Sequence, residues 1–118
     1  MTHYSVVSPH VFAAIKSGQR VIEPRINDDA HKAIRPGDLI VITNRTTHDQ
    51  VVTKVVGILR FASFKELAQA YPPDKFGVHD ERDLLQEMRR YYTTDQEIQS
   101  GVVGIKLHAL KQHKTAAP

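Results

Sequence analysis

The chain has 118 residues, of which 41% are hydrophobic and 25% charged, as expected for one globular domain spanning residues 1–118. It contains no cysteine, which excludes disulfides, thiolate metal ligands and cysteine nucleophiles. No apolar run approaches the roughly 20 residues of a membrane helix, and the first residues lack the pattern of a signal peptide. We therefore expect a cytoplasmic protein without membrane contact.

The charge pattern gives a mild preference for an anionic partner. The net charge is +3, from 16 basic and 13 acidic side chains, and the two signs are mixed along the chain. The seven histidines include no pair at the i,i+4 spacing of helical zinc sites. We accordingly predict no metal and no cofactor.

The first predicted helix runs from Pro9 to about Ser17. Ser8 is a suitable N-cap, and proline fits the first helical position. Gly18 stands where a left-handed residue commonly ends a helix. The apolar side chains recur at helical spacing and are expected to face the core: Val11, Phe12 and Ile15.

A short strand is predicted next, over residues 19–25. Because side chains alternate between the two faces of a strand, Glu23 and Arg25 share one face, and Ile22 and Pro24 share the other. Proline cannot donate to a central ladder, so this is an edge strand. The two charges form either a solvated ion pair or the polar floor of a ligand-binding cleft, and their spacing alone leaves both open.

The middle of the chain predicts two strands joined by a polar loop. Residues 39–43 form a continuous, mostly β-branched run that is typical of a buried strand. Residues 44–49 are polar and form the predicted hairpin loop. Residues 50–61 read as a long strand, in which Gly57 marks a bulge or a barrel corner.

Two helices and a last strand follow. Ser63 and Glu66 have the spacing of a capping box, so a helix begins at residue 64, and the proline pair at 72–73 ends it. Asp80 caps the second helix, and residues 102–110 form the final strand. This order of elements predicts the α+β class: a small mixed or antiparallel β-barrel with flanking helices.

Four short motifs, in chain order, resemble the ASCH domain family. The first motif consists of Ile15, Lys16, Ser17, Gly18, Arg20, Ile22, Glu23 and Arg25. The others are residues 34–38, 61–67 and 101–105. The resemblance covers about residues 8–110 and implies a PUA-like β-barrel, while residues 111–118 are expected to be disordered.

The resemblance also implies a cleft beside the Glu23 strand that accepts a nucleobase, a nucleotide or an RNA segment. Arg25 would bind phosphate or a base edge through its planar guanidinium. Glu23 would accept from an exocyclic amine, orient Arg25 or act as a base. Lys16 and Arg20 would contact phosphates, although both also complement the dipole of the preceding helix.

Three further residues are candidates for the same site. Asn44 and Arg45 begin the polar loop, where a solvated hairpin is the alternative. Tyr92 follows a basic pair and another tyrosine, and bases stack on aromatic rings for about 1–3 kcal/mol each. The alternative for the tyrosines is that one packs in the core while the other covers a helix end.

Taken with the resemblance, these residues predict a module that binds RNA or a nucleotide-derived ligand, with protein partners in transcription or translation. The alternative is a hydrolase, either a ribonuclease or an amidohydrolase acting on N4-acetylcytidine, with Glu23 and Lys16 as acid and base. ASCH-like amidohydrolases use a lysine and a threonine where this chain has Arg20 and Glu23. A protein-interaction module with an empty cleft is a third possibility.

Overall fold

The computed structural model describes residues 1–110, and the predicted disorder of residues 111–118 lies outside this range. Over these described residues, the chain forms five strands, five α-helices and one short 3₁₀ turn at Pro73–Lys75. The strands are β1 Thr2–Val7, β2 Ile22–Ile26, β3 Leu39–Asn44, β4 Gln50–Phe61 and β5 Val102–Ala109. The helices are α1 Pro9–Ser17, α2 Asp29–Lys32, α3 Phe64–Ala70, α4 Glu81–Tyr91 and α5 Thr94–Ser100. None of the helices in this range is long and apolar enough to cross a membrane.

The helix boundaries follow local chemistry, as predicted. Ser8, Ser63 and Asp80 each accept a hydrogen bond from a backbone N–H in the first turn of their helix. Gly18 ends α1 in the left-handed conformation, with φ at 83°. In the expected capping box, however, Glu66 accepts from the N–H of Ala62 and not from that of Ser63.

The sheet is a mixed five-stranded half-barrel in the order β1-β3-β4-β5-β2, which confirms the predicted α+β, PUA-like fold. Only β1 and β3 are parallel. The register shifts between Val55 and Gly57, where a bulge was predicted. β2 pairs with β5 alone, so the edge placement inferred from Pro24 is confirmed.

Strand β1 was not predicted, and β2 is shorter than expected because it begins at Ile22. β1 carries the reverse of the usual hydrophobic pattern. Tyr4 and Val6 are 78% and 60% exposed, whereas His3 and Ser5, on the alternate face, are half-buried. Strands are recognised in a sequence by apolar residues that alternate with polar ones and face the core. In β1 the alternating apolar residues face outward, so this pattern does not apply.

Two apolar clusters hold the domain together on opposite faces of the sheet, because alternate residues of β5 belong to different clusters: Val103 and Ile105 to the first and Val102 to the second. Helix α1 packs into the first cluster, as its apolar spacing predicted. Helices α3 and α4 pack into the second. The strand order places β1 and β2 at opposite edges of the sheet, and no hydrogen-bonded ladder joins these two strands.

Asp38 fastens β1 to the start of β3. One carboxylate oxygen lies 2.8 Å from Nε2 of His3 and 3.0 Å from the backbone nitrogen of Arg35, which donates to it. The hydrogen bond with His3, followed by that from Arg35, lowers the pKa of Asp38 to about 2. A carboxylate with a depressed pKa stabilises the folded state above its ordinary pKa of about 4, and this contribution is lost as the pH falls towards 2.

We therefore expect Asp38→Asn to lower the melting temperature at neutral pH and to lower it much less near pH 2. Melting curves of both proteins from pH 7 to pH 2 measure this difference. A constant difference over the whole range would show that the carboxylate charge contributes nothing at this position. Asp49→Asn, an exposed change in the β3–β4 turn, is the control for general charge effects.

Candidate functional site

A cleft of about 340 Å³ lies between the edge strands β1 and β2. Its walls come from the end of β1, the first turn of α1, β2, the start of the β3–β4 turn and the end of α4. The lining residues are Ser5, Val6, Val7, Ser8, Val11, Arg20, Glu23, Arg25, Arg45, Glu87, Tyr91 and Tyr92. The structure thus brings together five of the seven predicted ligand residues, namely Arg20, Glu23, Arg25, Arg45 and Tyr92.

Four charged side chains of alternating sign form an ion-pair network along the cleft. Oε1 of Glu23 accepts from Nη1 of Arg25 and from Nη2 of Arg20, each at 2.6 Å. Arg20 then donates to both carboxylate oxygens of Glu87, at 3.0 and 2.8 Å. Arg20 and Glu23 are each only 3% exposed. The solvated pair that the sequence left open is therefore excluded, because Glu23 is buried between two arginines.

The charges in this ion-pair network stabilise one another. Burial alone would raise the pKa of Glu23, but the positive charges of Arg20 and Arg25 outweigh burial and lower the pKa. Burial would likewise lower the pKa of Arg20, and the charges of Glu23 and Glu87 raise it instead. Glu23 is consequently ionised at neutral pH, where it acts as a hydrogen-bond acceptor and is a weak base.

Two buried polar atoms of these four side chains have no hydrogen-bond partner within residues 1–110: Oε2 of Glu23 and Nε of Arg20. One is an acceptor and the other a donor, and they belong to side chains that are in direct contact. A buried polar group without a hydrogen bond typically costs about 1–3 kcal/mol.

The two tyrosines at the end of α4 have different roles. Tyr92 stacks on the core residue Phe64, with ring centroids 5.7 Å apart, and its hydroxyl is hydrogen-bonded by the backbone of Ile26. Burial is the main reason that the pKa of Tyr92 is raised. Tyr91 is 50% exposed and packs edge-on against Tyr92. Tyr91 is therefore the better stacking surface at the cleft, although Tyr92 was the predicted one.

The loop residues Asn44 and Arg45 also differ in their relation to the cleft. Asn44 is 6% exposed, and its side-chain oxygen accepts from the backbone nitrogens of Thr46 and Thr47, so it shapes the turn and does not line the cleft. The backbone nitrogen of Arg45 donates to the carbonyl of Val7, which ties the turn to β1. The side chain of Arg45 lines the cleft.

Lys16 is exposed and lines a separate hollow of about 270 Å³, together with Gly18 and His108. Glu23 does not border that hollow. The two side chains considered as acid and base thus belong to different cavities. Within residues 1–110, no group of three or more His, Asp or Glu side chains is placed to hold a metal ion.

A larger hollow of about 880 Å³ lies on the far side of Glu87, beside the α1–β2 turn, the loop before α4 and α4 itself. Its other charged side chains are exposed and of both signs, including Lys75, Asp83 and Arg90. None of the buried unpartnered atoms found in residues 1–110 belongs to its lining. The smaller cleft is therefore the stronger candidate, despite its size.

Sequence reasoning missed Glu87, Ser5 and Ser8 as cleft residues. Glu87 lies 67 positions from its partner Arg20, and nothing local to α4 marks it as different from the other charges of that helix. Ser5 was missed because β1 was not predicted. Ser8 was recognised only as a cap. Its position at the cleft depends on how α1 meets β1, which local patterns do not show.

The chain is similar to several solved structures. The hypothetical protein PH0355 is 27% identical, with 93% of this chain and all of that chain covered and a TM-score of 0.83. The protein PF0455 from Pyrococcus furiosus is 25% identical, with coverage of 95% and 100% and a TM-score of 0.77. An ASCH protein from Zymomonas mobilis shares the fold at 16% identity, with coverage of 91% and 66% and a TM-score of 0.67.

No curated protein matches the sequence. The sequence model of the ASCH domain, in contrast, matches residues 6–111, which is most of the chain. This match agrees with the resemblance of the four motifs and with the fold shared with the Zymomonas mobilis structure. The chain belongs to the ASCH domain family.

Proposed function

We propose that this protein binds single-stranded RNA or a nucleotide-derived ligand by accepting one nucleobase in the cleft between β1 and β2. The observation that carries the proposal is the unpartnered pair at the cleft, Nε of Arg20 and Oε2 of Glu23. We place this activity in the cytoplasm, as the sequence predicts, and we expect protein partners in transcription or translation on the family resemblance alone.

A nucleobase complements this pair chemically. The edges of bases present hydrogen-bond donors and acceptors side by side, and carboxylates accept from the exocyclic amine of cytosine. An ionised Glu23 offers only an acceptor, and an arginine offers only donors. The cavity volume of about 340 Å³ also falls at the lower end of the range of small-molecule sites, which suits a single nucleoside.

Aromatic and cationic side chains at the rim favour the same class of ligand. Tyr91 exposes half of its surface beside the cleft, and an aromatic ring there can stack on a base of any sequence. Arg25 and Arg45 line the cleft and can pair with phosphates of the backbone. This combination of stacking and phosphate pairing is typical of proteins that bind single strands.

The contacts favour binding over hydrolysis. Oε1 of Glu23 is already bonded to two arginines, and the lowered pKa of Glu23 makes it a weak base. Lys16, the second predicted catalytic residue, lines a different hollow. The amidohydrolase pattern of lysine and threonine is absent, with Arg20 and Glu23 in those places.

The test is a titration of labelled, mixed-sequence single-stranded RNA at low and moderate salt, with the same samples run on a denaturing gel. We expect binding that weakens as salt rises, because counterions are released from the phosphates. Arg25→Ala should weaken binding about tenfold or more, since a hydrogen-bonded charge contact contributes about 1.5–3 kcal/mol.

Arg82→Ala is the matched control, because Arg82 is exposed on α4 and lines another hollow. This variant removes the same positive charge but at a position outside the cleft, so it should leave the affinity for RNA almost unchanged. Equal losses in the Arg25 and Arg82 variants would mean that RNA binds non-specifically to the basic surface. If shortened RNA appears, and if it disappears with a Glu23→Gln sample that circular dichroism shows to be folded, the protein is a ribonuclease and not a binding module.

A further inference from the structure

The outer edge of β1 carries main-chain groups that the sheet does not use. At the two ends of the β1–β3 ladder, backbone N–H groups donate to the carbonyls of Met1 and Val7. In a parallel ladder every second residue of a strand bonds to its neighbour, so the odd-numbered residues of β1 bond to β3. The N–H and C=O groups of the even-numbered Tyr4 and Val6 therefore point to the free edge of the sheet.

This free edge faces the cleft between β1 and β2. Ser5, Val6 and Val7 all line the cleft, although Ser5 and Val7 lie on the inner face of β1 and the side chain of Val6 is exposed on the outer face. A cavity that touches residues of both faces of a strand lies against the edge of that strand. The main chain of Val6 is therefore part of the cleft wall, opposite Glu23 and Arg25 of β2.

The main chain of Val6 has no hydrogen-bond partner from the loops, turns or caps of the described part of the chain. Its N–H and C=O are thus left to water or to a ligand. An unpaired backbone group that is shut away from water costs about as much as a lost hydrogen bond. A ligand that displaces water from this wall must consequently offer both an acceptor and a donor.

The shape of the gap between β1 and β2 favours one planar group over an added peptide strand. Beside Tyr4 the gap contains only a small cavity of about 60 Å³, which Glu23 and Arg25 also line. Since one water occupies about 30 Å³, this cavity has room for about two waters. An added strand needs space along the whole edge of β1, whereas the cleft of about 340 Å³ opens only at Val6.

We infer that the main chain of Val6 binds the nucleobase that enters the cleft, with its N–H donating to the base and its C=O accepting from it. In all four bases, the edge used for base pairing carries a donor beside an acceptor, and single-stranded RNA is recognised through such edges. The ligand is then an unpaired base with this edge free. This inference rests on the proposed function, and it adds which protein groups and which edge of the base are in contact.

A proline at position 6 tests the contact directly. Val6→Pro removes the N–H that faces the cleft and no bond of the β1–β3 ladder, and proline is tolerated on edge strands in this orientation. We expect single-stranded RNA to bind Val6→Pro about three- to tenfold more weakly, as the loss of one neutral hydrogen bond predicts. Val6→Ala, which shortens the side chain and keeps both main-chain groups, should stay within about twofold of the natural protein.

Circular dichroism and melting curves verify that both variants are folded. If Val6→Pro does not fold, a backbone ester at residue 6 takes its place. The ester replaces the N–H by oxygen and keeps the valine side chain, so it should weaken RNA binding to a similar extent. Unchanged binding by a folded proline or ester variant would overturn the inference and leave the side chains of Glu23 and Arg25 as the base-binding groups.

Duplex RNA separates base recognition from a general effect on the fold. Annealing the same RNA to its complement occupies the pairing edges of the bases and keeps the phosphates. We expect the duplex to bind more weakly than the single strand and to bind the natural protein and Val6→Pro equally. If Val6→Pro weakened both forms of RNA by the same factor, residue 6 would act through the fold, and the inference would be wrong.

Two further outcomes are distinct. If the natural protein forms a dimer by light scattering, and if Val6→Pro dissociates it, the edge of β1 pairs with a second copy and does not bind a base. If the natural protein binds neither single-stranded RNA nor any nucleotide, the proposed function itself fails.

Discussion

Replacing Glu23 with glutamine is expected to lower the free energy of unfolding by about 3–5 kcal/mol, the usual cost of removing one partner from a buried ion pair. The carboxylate lies between Arg20 and Arg25 and is 3% exposed. Without its charge, Arg20 remains buried with Glu87 as its only counterion among the described residues. Because small domains are stable by about 5–15 kcal/mol, this loss should be visible as a fall in melting temperature of roughly 10–20 °C.

Glu81→Gln is the matched control for this prediction. Glu81 lies in the first turn of α4, and within residues 1–110 its carboxylate accepts only from the side chain of Gln69. Removing its charge should cost about 0.3–1 kcal/mol, mainly through the helix dipole. If Glu23→Gln were as stable as this control, Glu87 alone would be sufficient to neutralise Arg20.

The pH dependence gives a second check on Glu23. Its pKa is lowered in the folded state, so its charge stabilises the fold above the ordinary glutamate pKa of about 4.3. That stabilisation is lost as the pH falls through the lowered folded-state pKa. The difference in stability between the natural protein and Glu23→Gln should therefore be full near neutral pH and should narrow below about pH 4.

The local elements were predictable because their chemistry is local. Ser8, Ser63 and Asp80 cap helices, and Gly18 ends one, through hydrogen bonds and backbone angles that involve residues at most three or four positions away. The bulge beside Gly57 follows in the same way from one residue. β1 escaped prediction because Tyr4 and Val6 are exposed, while polar His3 and Ser5 share the inner face with Val7.

The site was predictable only in part, because its partners come from distant elements. The alternation of a strand placed Glu23 and Arg25 on one face, and the structure keeps them together. No local pattern could indicate that Arg20 turns inward to meet Glu87 on α4 or that Lys16, four positions earlier, stays at the surface. The direction of a side chain at a turn depends on what packs over it. Here this is the loop that contains the buried Phe76, whose backbone pairs with that of Arg20.

Glu97→Ala is expected to destabilise the protein by about 2–4 kcal/mol, from a lost charged hydrogen bond and the space left behind. Glu97 is 5% exposed. Its carboxylate accepts from the backbone nitrogen of Phe64 at 2.8 Å, where α3 begins, and from Arg89 near the end of α4. This one side chain on α5 thus connects three helices, and its negative charge also suits the positive end of α3.

Two further variants identify which contact matters. Glu97→Gln keeps the volume and an acceptor for the Phe64 nitrogen but loses the ion pair with Arg89, so it should cost about 1 kcal/mol. Glu66→Gln, an exposed change at the same helix start that keeps an acceptor for the Ala62 nitrogen, should cost about 0.3–1 kcal/mol through the helix dipole. Urea unfolding of the three variants measures the series. If Glu97→Gln lost as much stability as Glu97→Ala, the charge would be the dominant contribution, and the hydrogen bond to the start of α3 would be secondary.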